Sequence, residues 1–251
     1  MTSTVITKCD NAIRSIILNR PERLNAINPQ LLGDFLAALR QGNADPQTRV
    51  MIISGAGAAF CAGDDLKEFD AQVGTEDETR AYIESIQDIT REIVLGDKIV
   101  LGAIHGWAVG GGLEWLINCD FAILAEGTRC FFPEISLGVF VTGAITTILP
   151  KIVGLRKAKE LILFGERFDA AQALDWGLAW KVVPEADLMK ETMIAAARIA
   201  ALPEQAVRDL KGVINRACHL DTQGAMKLET DATVRGFLDP ATAERISKFD
   251  Q

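Results

Sequence analysis

"GWAVGGGLEW", residues 106–115, sets three consecutive glycines ahead of an acid inside an apolar run. Each glycine forgoes side-chain packing and loses backbone entropy on folding, so three together in a core-like setting need a reason. The apolar stretch Ile99 to His105 before them reads as a strand, and "GLEWLINC" after them reads as a helix. Gly111 and Gly112 then fall at a helix N-terminus, where unpaired N–H groups and the positive end of the helix dipole face outward. An oxygen gaining negative charge in a transition state would be stabilised there, and the missing Cβ atoms would let it approach the backbone. That is the pattern of an oxyanion hole. Close packing of strand on helix also accounts for glycines, so the neighbouring acid matters: Trp115, Leu116 and Ile117 put the Glu114 carboxyl among apolar side chains, where it needs a partner or a task.

A second acid, Glu134, lies in "CFFPEISLG" after a short Phe-rich strand, Cys130 to Phe132. Taken alone it reads as an ordinary exposed loop carboxylate. Two carboxyls converging on an apolar cleft would instead have split pKa values, one ionised and one partly protonated, suited to base and acid roles around a water. The loop "AFCAGDDLKEF", residues 59–69, follows the strand Val50 to Ser54 and is placed to supply a second N–H for the hole; its plainer reading is a turn capped by Asp64 and Asp65. Other chemistries find no support. "MIISGAGAAF" begins like a dinucleotide fingerprint but has Phe60 where the third glycine belongs, and the glycine triplet fails the same template at Trp115. No P-loop, GxSxG elbow or HExxH is present, and His105 and His219 read as structural.

The rest of the chain alternates β-rich apolar runs with helical periodicity, which predicts an α/β fold with a layered core. Further strands are expected at Ile13 to Leu18, Phe121 to Ala125 and Ala179 to Val183, and the alternating N-terminus also reads as strand. Pro29 to Arg40 is expected as a helix with Pro29 at its start and Leu31, Leu32, Phe35, Leu36 and Leu39 on one face; Glu76 to Leu95 is a second. Beyond about Pro150 helical segments dominate, which divides the chain into an α/β core over residues 1–190 and a helical region over 191–251. A net charge of −8 gives no drive toward nucleic acid or an anionic membrane. The five cysteines form no CxxC pair and, with two histidines, no zinc spacing, and no secretory leader is evident, so a reducing, cytoplasmic location is expected.

These residues together resemble the enoyl-CoA hydratase/isomerase (crotonase) superfamily. The likeness runs from "ILNRPERLNAIN" at 17–28, through "FCAGDDLKEF" and "AIHGWAVGGGLEWLINCDFAILAE", to "FFPEISLGVFVTGAITTILPKIVG" and "AKELILFGERFDAAQALDWGLAWKVVP". It implies a spiral of ββα units with a C-terminal helical trimerisation region, binding acyl-CoA thioesters as a homotrimer or a dimer of trimers. The two backbone donors to the thioester enolate would be Asp64 and Gly111. Ala62, Asp64, Asp65, Leu66 and Lys67 would line the CoA site, with Arg23 and Leu24 touching CoA as well. No metal or redox cofactor is implied, since coenzyme A enters as part of the substrate. Glu114 and Glu134 match the acids of hydratases, Glu114 activating water and Glu134 serving the α-carbon. An isomerase, which runs on one glutamate, and a non-catalytic CoA-binding subunit are the alternatives. Bulky Phe140 and Val141 stand where hydratases usually carry a proline and small residues, which predicts a reshaped acyl pocket.

Overall fold

A computed structural model describes residues 3–68 and 74–249, so Phe69 of the 59–69 loop lies outside the described residues. Strands β1 (Val5–Asp10), β2 (Ile13–Leu18), β3 (Val50–Gly55), β4 (Ile99–Ile104), β5 (Trp107–Val109), β6 (Phe121–Ala125), β7 (Arg129–Phe131), β8 (Phe168–Asp169) and β9 (Lys181–Val183) form two sheets. The larger runs β1-β2-β3-β4-β6-β9 and the smaller β5-β7-β8. In the larger sheet β1 and β2 make an antiparallel hairpin, and every later pairing is parallel. The central strands β3 and β4 are covered on both faces, which is why "VMIIS" and "IVLGAI" are nearly continuous apolar runs rather than alternating ones.

The chain passes repeatedly from the large sheet to the smaller layer. Strand β4 hands over to β5 and β6 to β7, and β5 and β7 pair in parallel. After β3 the same step recurs without a full strand: Cys61 bridges Ala108, donating to Trp107 O at 2.9 Å and accepting from Val109 N at 3.0 Å. One position further out, Ile27 bridges Asp64. This is the expected ββα spiral, and it sets the loop after β3 beside the loop after β5.

Helices α1 (Pro29–Ala44), α2 (Glu76–Thr90), α3 (Gly111–Asn118), α4 (Ile145–Val153), α5 (Leu155–Phe164), α6 (Ala170–Asp175), α7 (Leu188–Ala200), α8 (Glu204–Ala217), α9 (Thr222–Leu238) and α10 (Pro240–Phe249) complete the fold. Asn28 caps α1 by accepting from Leu31 N at 2.9 Å, Pro29 takes the first helical position, and the five predicted core residues are all buried. Helix α2 opens with a Thr75–Glu78 capping box and continues as a π-turn through Leu95, so the second predicted helix has its expected extent. Residues 145–153 are helical despite Pro150, which the sequence pattern did not indicate.

Alternate residues of the central strands feed two cores. Met51, Ile53 and Val100 face α1 and α3, while Val50, Ile52 and Leu101 pack with Leu188, Ala195 and Ala196 of α7. Position 190 therefore falls inside a helix that closes the sheet's second face. Helix α8 is pinned by the buried Lys211, whose Nζ donates to Ile93 O and Lys98 O at 2.7 Å and to Asp120 at 2.8 Å. Helix α9, by contrast, buries no residue. Among the described residues no helix is long and apolar enough to cross a membrane.

Candidate active site

Each glycine of the triplet meets a different neighbour. Gly110 has φ +51°, and a Cβ there would stand 2.7 Å from Glu134 Oε1. At Gly111 a Cβ would stand 2.7 Å from Ile27 Cδ1, and at Gly112 it would stand 2.7 Å from the Cys61 carbonyl oxygen. The triplet thus lets α3 start directly against the loop after β3. Gly110 N–H is spent on Phe131 O at 3.1 Å, whereas among the described residues the Gly111 N–H makes no hydrogen bond. Across from it, Ile27 donates to Gly63 O and accepts from Asp65 N, both at 2.8 Å. In a parallel bridge those bonds flank the bridged residue, so the Asp64 N–H is turned away from Ile27 and is likewise without an acceptor among the described residues.

Both loops border one cavity of about 670 Å³, within the usual range for small-molecule sites. Ala62, Gly63, Asp64 and Leu66 form one side; Val109, Gly110 and Gly111 form the next; Thr79, Tyr82, Ile83 and Ile86 of α2 close a third. The predicted acids meet here: Glu114 and Glu134 both line the cavity, with Leu137, Val139, Phe140 and Thr142 beside them. Phe140 is largely exposed at this wall, while Val141 is buried in the core.

The two acids are set differently. Glu114 is 1 % exposed. Its Oε1 accepts from Thr142 N at 2.7 Å and its Oε2 from Thr142 Oγ1 at 2.6 Å. Burial pushes its pKa up to about 6 against the opposing pull of those two donors. Glu134 has a buried Oε2 with no partner among the described residues. Burial raises it to about 7, with the charges of Glu114 and Asp64 adding to the rise. At neutral pH Glu114 is the more readily ionised of the two and Glu134 the more readily protonated. Thr142 was not anticipated from the sequence, because it lies 28 residues beyond Glu114, with β6 and β7 between them. Its loop is held by Asn118 Nδ2 donating to Gly143 O at 2.9 Å, with Thr90 Oγ1 donating to Asn118 Oδ1 at 2.7 Å.

The remaining predicted contacts separate into two groups. Ala62, Asp64, Leu66 and Gly111 border the cavity; Arg23, Leu24, Asp65 and Lys67 do not. Asp65 is buried and spent on structure, accepting from Arg20 and Arg23 at 3.2 Å and from Lys67 N at 3.3 Å. Arg20, absent from the expected set, also reaches Glu68 at 3.0 Å and so ties the loop to the chain before α1. Leu24 accepts from Ala62 N at 3.0 Å, which keeps it next to the cavity edge. His105 bonds the Gly57 carbonyl and takes no part in the cavity, as expected. Among the described residues no three His, Cys, Asp or Glu side chains are grouped to hold a metal ion.

The family described as enoyl-CoA hydratase/isomerase matches residues 8–242. The chain is 33% identical to a crotonyl-CoA hydratase of Syntrophomonas wolfei, over 91% of this chain and 87% of the relative. It is 35% identical to an enoyl-CoA isomerase/hydratase of Mycosarcoma maydis, over 85% of this chain and 81% of the relative. The crystal structure of an enoyl-CoA hydratase from Bacillus anthracis superposes with a TM-score of 0.92 at 31% identity, covering 98% of this chain and 96% of that one.

Proposed function

The chain belongs to the enoyl-CoA hydratase/isomerase family, and from that premise we propose that it is a hydratase, adding water across the 2,3 double bond of an enoyl-CoA thioester. The observation that carries this reading is the unequal pair of acids on one cavity: Glu114 with both oxygens accepting from Thr142, and Glu134 with a bare buried oxygen. Isomerisation moves one proton between two carbons and needs one such group; hydration needs a base for water and an acid for carbon.

In this mechanism the thioester oxygen sits against the N–H groups of Asp64 and Gly111. Glu114 takes a proton from water as the oxygen attacks the β-carbon, and the double bond's electrons pass to the thioester oxygen as an enolate. Glu134 then delivers its proton to the α-carbon, which restores the thioester. The enolate charge falls where the helix α3 N-terminus stabilises it, and losing one donor of this kind typically costs about a hundredfold in rate. The sum is water plus enoyl thioester, with no electron transfer, so no redox group is needed. Ala62 and Leu66 line the acyl-CoA path, with Arg23, Leu24, Asp65 and Lys67 supporting or flanking it. Apolar side chains left exposed on α8 and α9, Leu210, Ile214, Phe237 and Leu238, support assembly as a trimer or a dimer of trimers. Five free thiols support a reducing, cytoplasmic location.

The test is incubation with crotonyl-CoA and, separately, with a 3-enoyl-CoA. Loss of the conjugated enoyl absorbance with crotonyl-CoA, and no conversion of the 3-enoyl thioester, is the expected result; the reverse pattern makes it an isomerase. Glu114→Gln and Glu134→Gln should each lower kcat by about 10²- to 10⁴-fold. Unchanged turnover in both variants would remove the catalytic assignment.

A further inference from the structure

The adjacent acids of "AGDDL" face opposite ways. The segment is extended where it bridges Ile27, so neighbouring side chains project to opposite sides. Asp65 turns inward and is consumed by Arg20 and Arg23. Asp64 turns the other way. It borders the cavity, and its charge is felt by Glu114, Glu134 and Tyr82, all of them cavity residues. Among the described residues its carboxyl accepts no hydrogen bond and joins no ion pair, and Arg23 is committed to Asp65. The residue is solvent-exposed where it borders the cavity. On α2, which borders the same cavity, the buried Tyr82 hydroxyl has no partner among the described residues.

A carboxyl without a protein partner in a cavity whose lining also includes Leu66, Ile83, Ile86 and Phe140 is a poor surface for a plain hydrocarbon chain. Packing methylene groups against it strips its water and returns nothing. An acyl group that presents a hydroxyl, amide N–H or ammonium there replaces that water with a direct bond. We propose that the Asp64 side chain determines acyl specificity, selecting thioesters whose acyl group carries a hydrogen-bond donor close to the reacting double bond. This rests on the acyl-CoA reading of the cavity, and it adds a side-chain role to a residue whose backbone N–H serves the thioester oxygen. The donor must lie on the first carbons beyond the double bond, because the same residue's amide contacts the thioester.

The experiment compares near-isosteric pairs. Binding of 4-hydroxybutanoyl-CoA and pentanoyl-CoA, saturated thioesters that cannot be hydrated, is measured by calorimetry on the wild-type protein and on Asp64→Ala and Asp64→Asn, each checked for folding by its melting transition. A hydrogen bond to a charged group corresponds to about a tenfold to hundredfold preference. The wild type should therefore bind the hydroxylated thioester at least about tenfold tighter, Asp64→Ala should bring the ratio near one, and Asp64→Asn should lie between. The same ratio should appear in kcat/KM for 4-hydroxybut-2-enoyl-CoA against pent-2-enoyl-CoA. A wild-type ratio near one, or a ratio that Asp64→Ala leaves intact, overturns the proposal. Failure of every enoyl-CoA to turn over with the binding ratio preserved would instead overturn the hydratase reading and leave this one standing.

Discussion

Thr142→Val removes one hydroxyl from the site and almost nothing else. The side chains are close to isosteric, the Thr142 N–H stays in place for Glu114 Oε1, and only the 2.6 Å bond from Oγ1 to Oε2 is lost. A hydrogen bond to a charged group contributes about 1.5–3 kcal/mol. At about 1.4 kcal/mol per pKa unit, its loss raises the Glu114 carboxyl by about one to two units. Starting from about 6, the carboxyl moves to about 7–8. At pH 7 the ionised share then drops from about nine-tenths to between about a half and a tenth. Activity at pH 7 should fall about two- to tenfold, and the acid limb of the kcat/KM profile should move up by about one to two units. Because the two acids are coupled, the observed limbs belong to the pair, and the alkaline limb should move less. Crotonyl-CoA hydration followed across pH 5–9 gives both limbs, and Thr142→Ser should restore the wild-type profile. An acid limb that stays where it was, in a folded variant, would refute the idea that Thr142 sets the charge of Glu114.

Two further outcomes follow from the same geometry. Glu134 is ordinarily near 4.5 when unfolded and is raised to about 7 in the fold, so stability is full below the unfolded value and declines as pH rises through the folded one. Glu134→Gln should therefore be more stable than wild type at pH 8 by about 2–3 kcal/mol, and by little at pH 4.5, in urea titrations; an equal effect at both pH values would contradict the raised pKa. Gly110→Ala places a Cβ 2.7 Å from Glu134 Oε1 at a backbone with φ +51°, and should cost about 1–3 kcal/mol of stability as well as most of kcat. Gly127→Ala, which meets nothing within 4 Å, is the control, and equal losses in both variants would show that the close approach at Gly110 is not what matters.

Local signals were readable because they act over a few residues. The Pro29 start of α1, its buried face and the apolar runs of β3 and β4 follow from helix-start preference, periodicity and two-sided burial, all of which a short window contains. Of the short strands, β7 and β9 overlap runs the sequence marks as strand, whereas β5 was not readable. Strand β5 is three residues long and exists because Trp107 to Val109 pair with Arg129 to Phe131. The same limit applies to the site. The residue types of the glycine triplet and the acids were enough to nominate Gly111, Glu114 and Glu134, since glycines before a buried acid are costly without a use. The surroundings of Glu114 and Glu134 were decided by contacts remote in sequence: Thr142 folding back onto one carboxylate, and Gly110 leaving room for the other. Asp64 and Asp65 are chemically identical neighbours, yet one is paired with two arginines and the other is bare in the cavity. Composition and spacing state which groups a chain possesses; whether a group is ionised, bonded or open to a ligand depends on the dielectric and the partners around it, and those are properties of the packed structure.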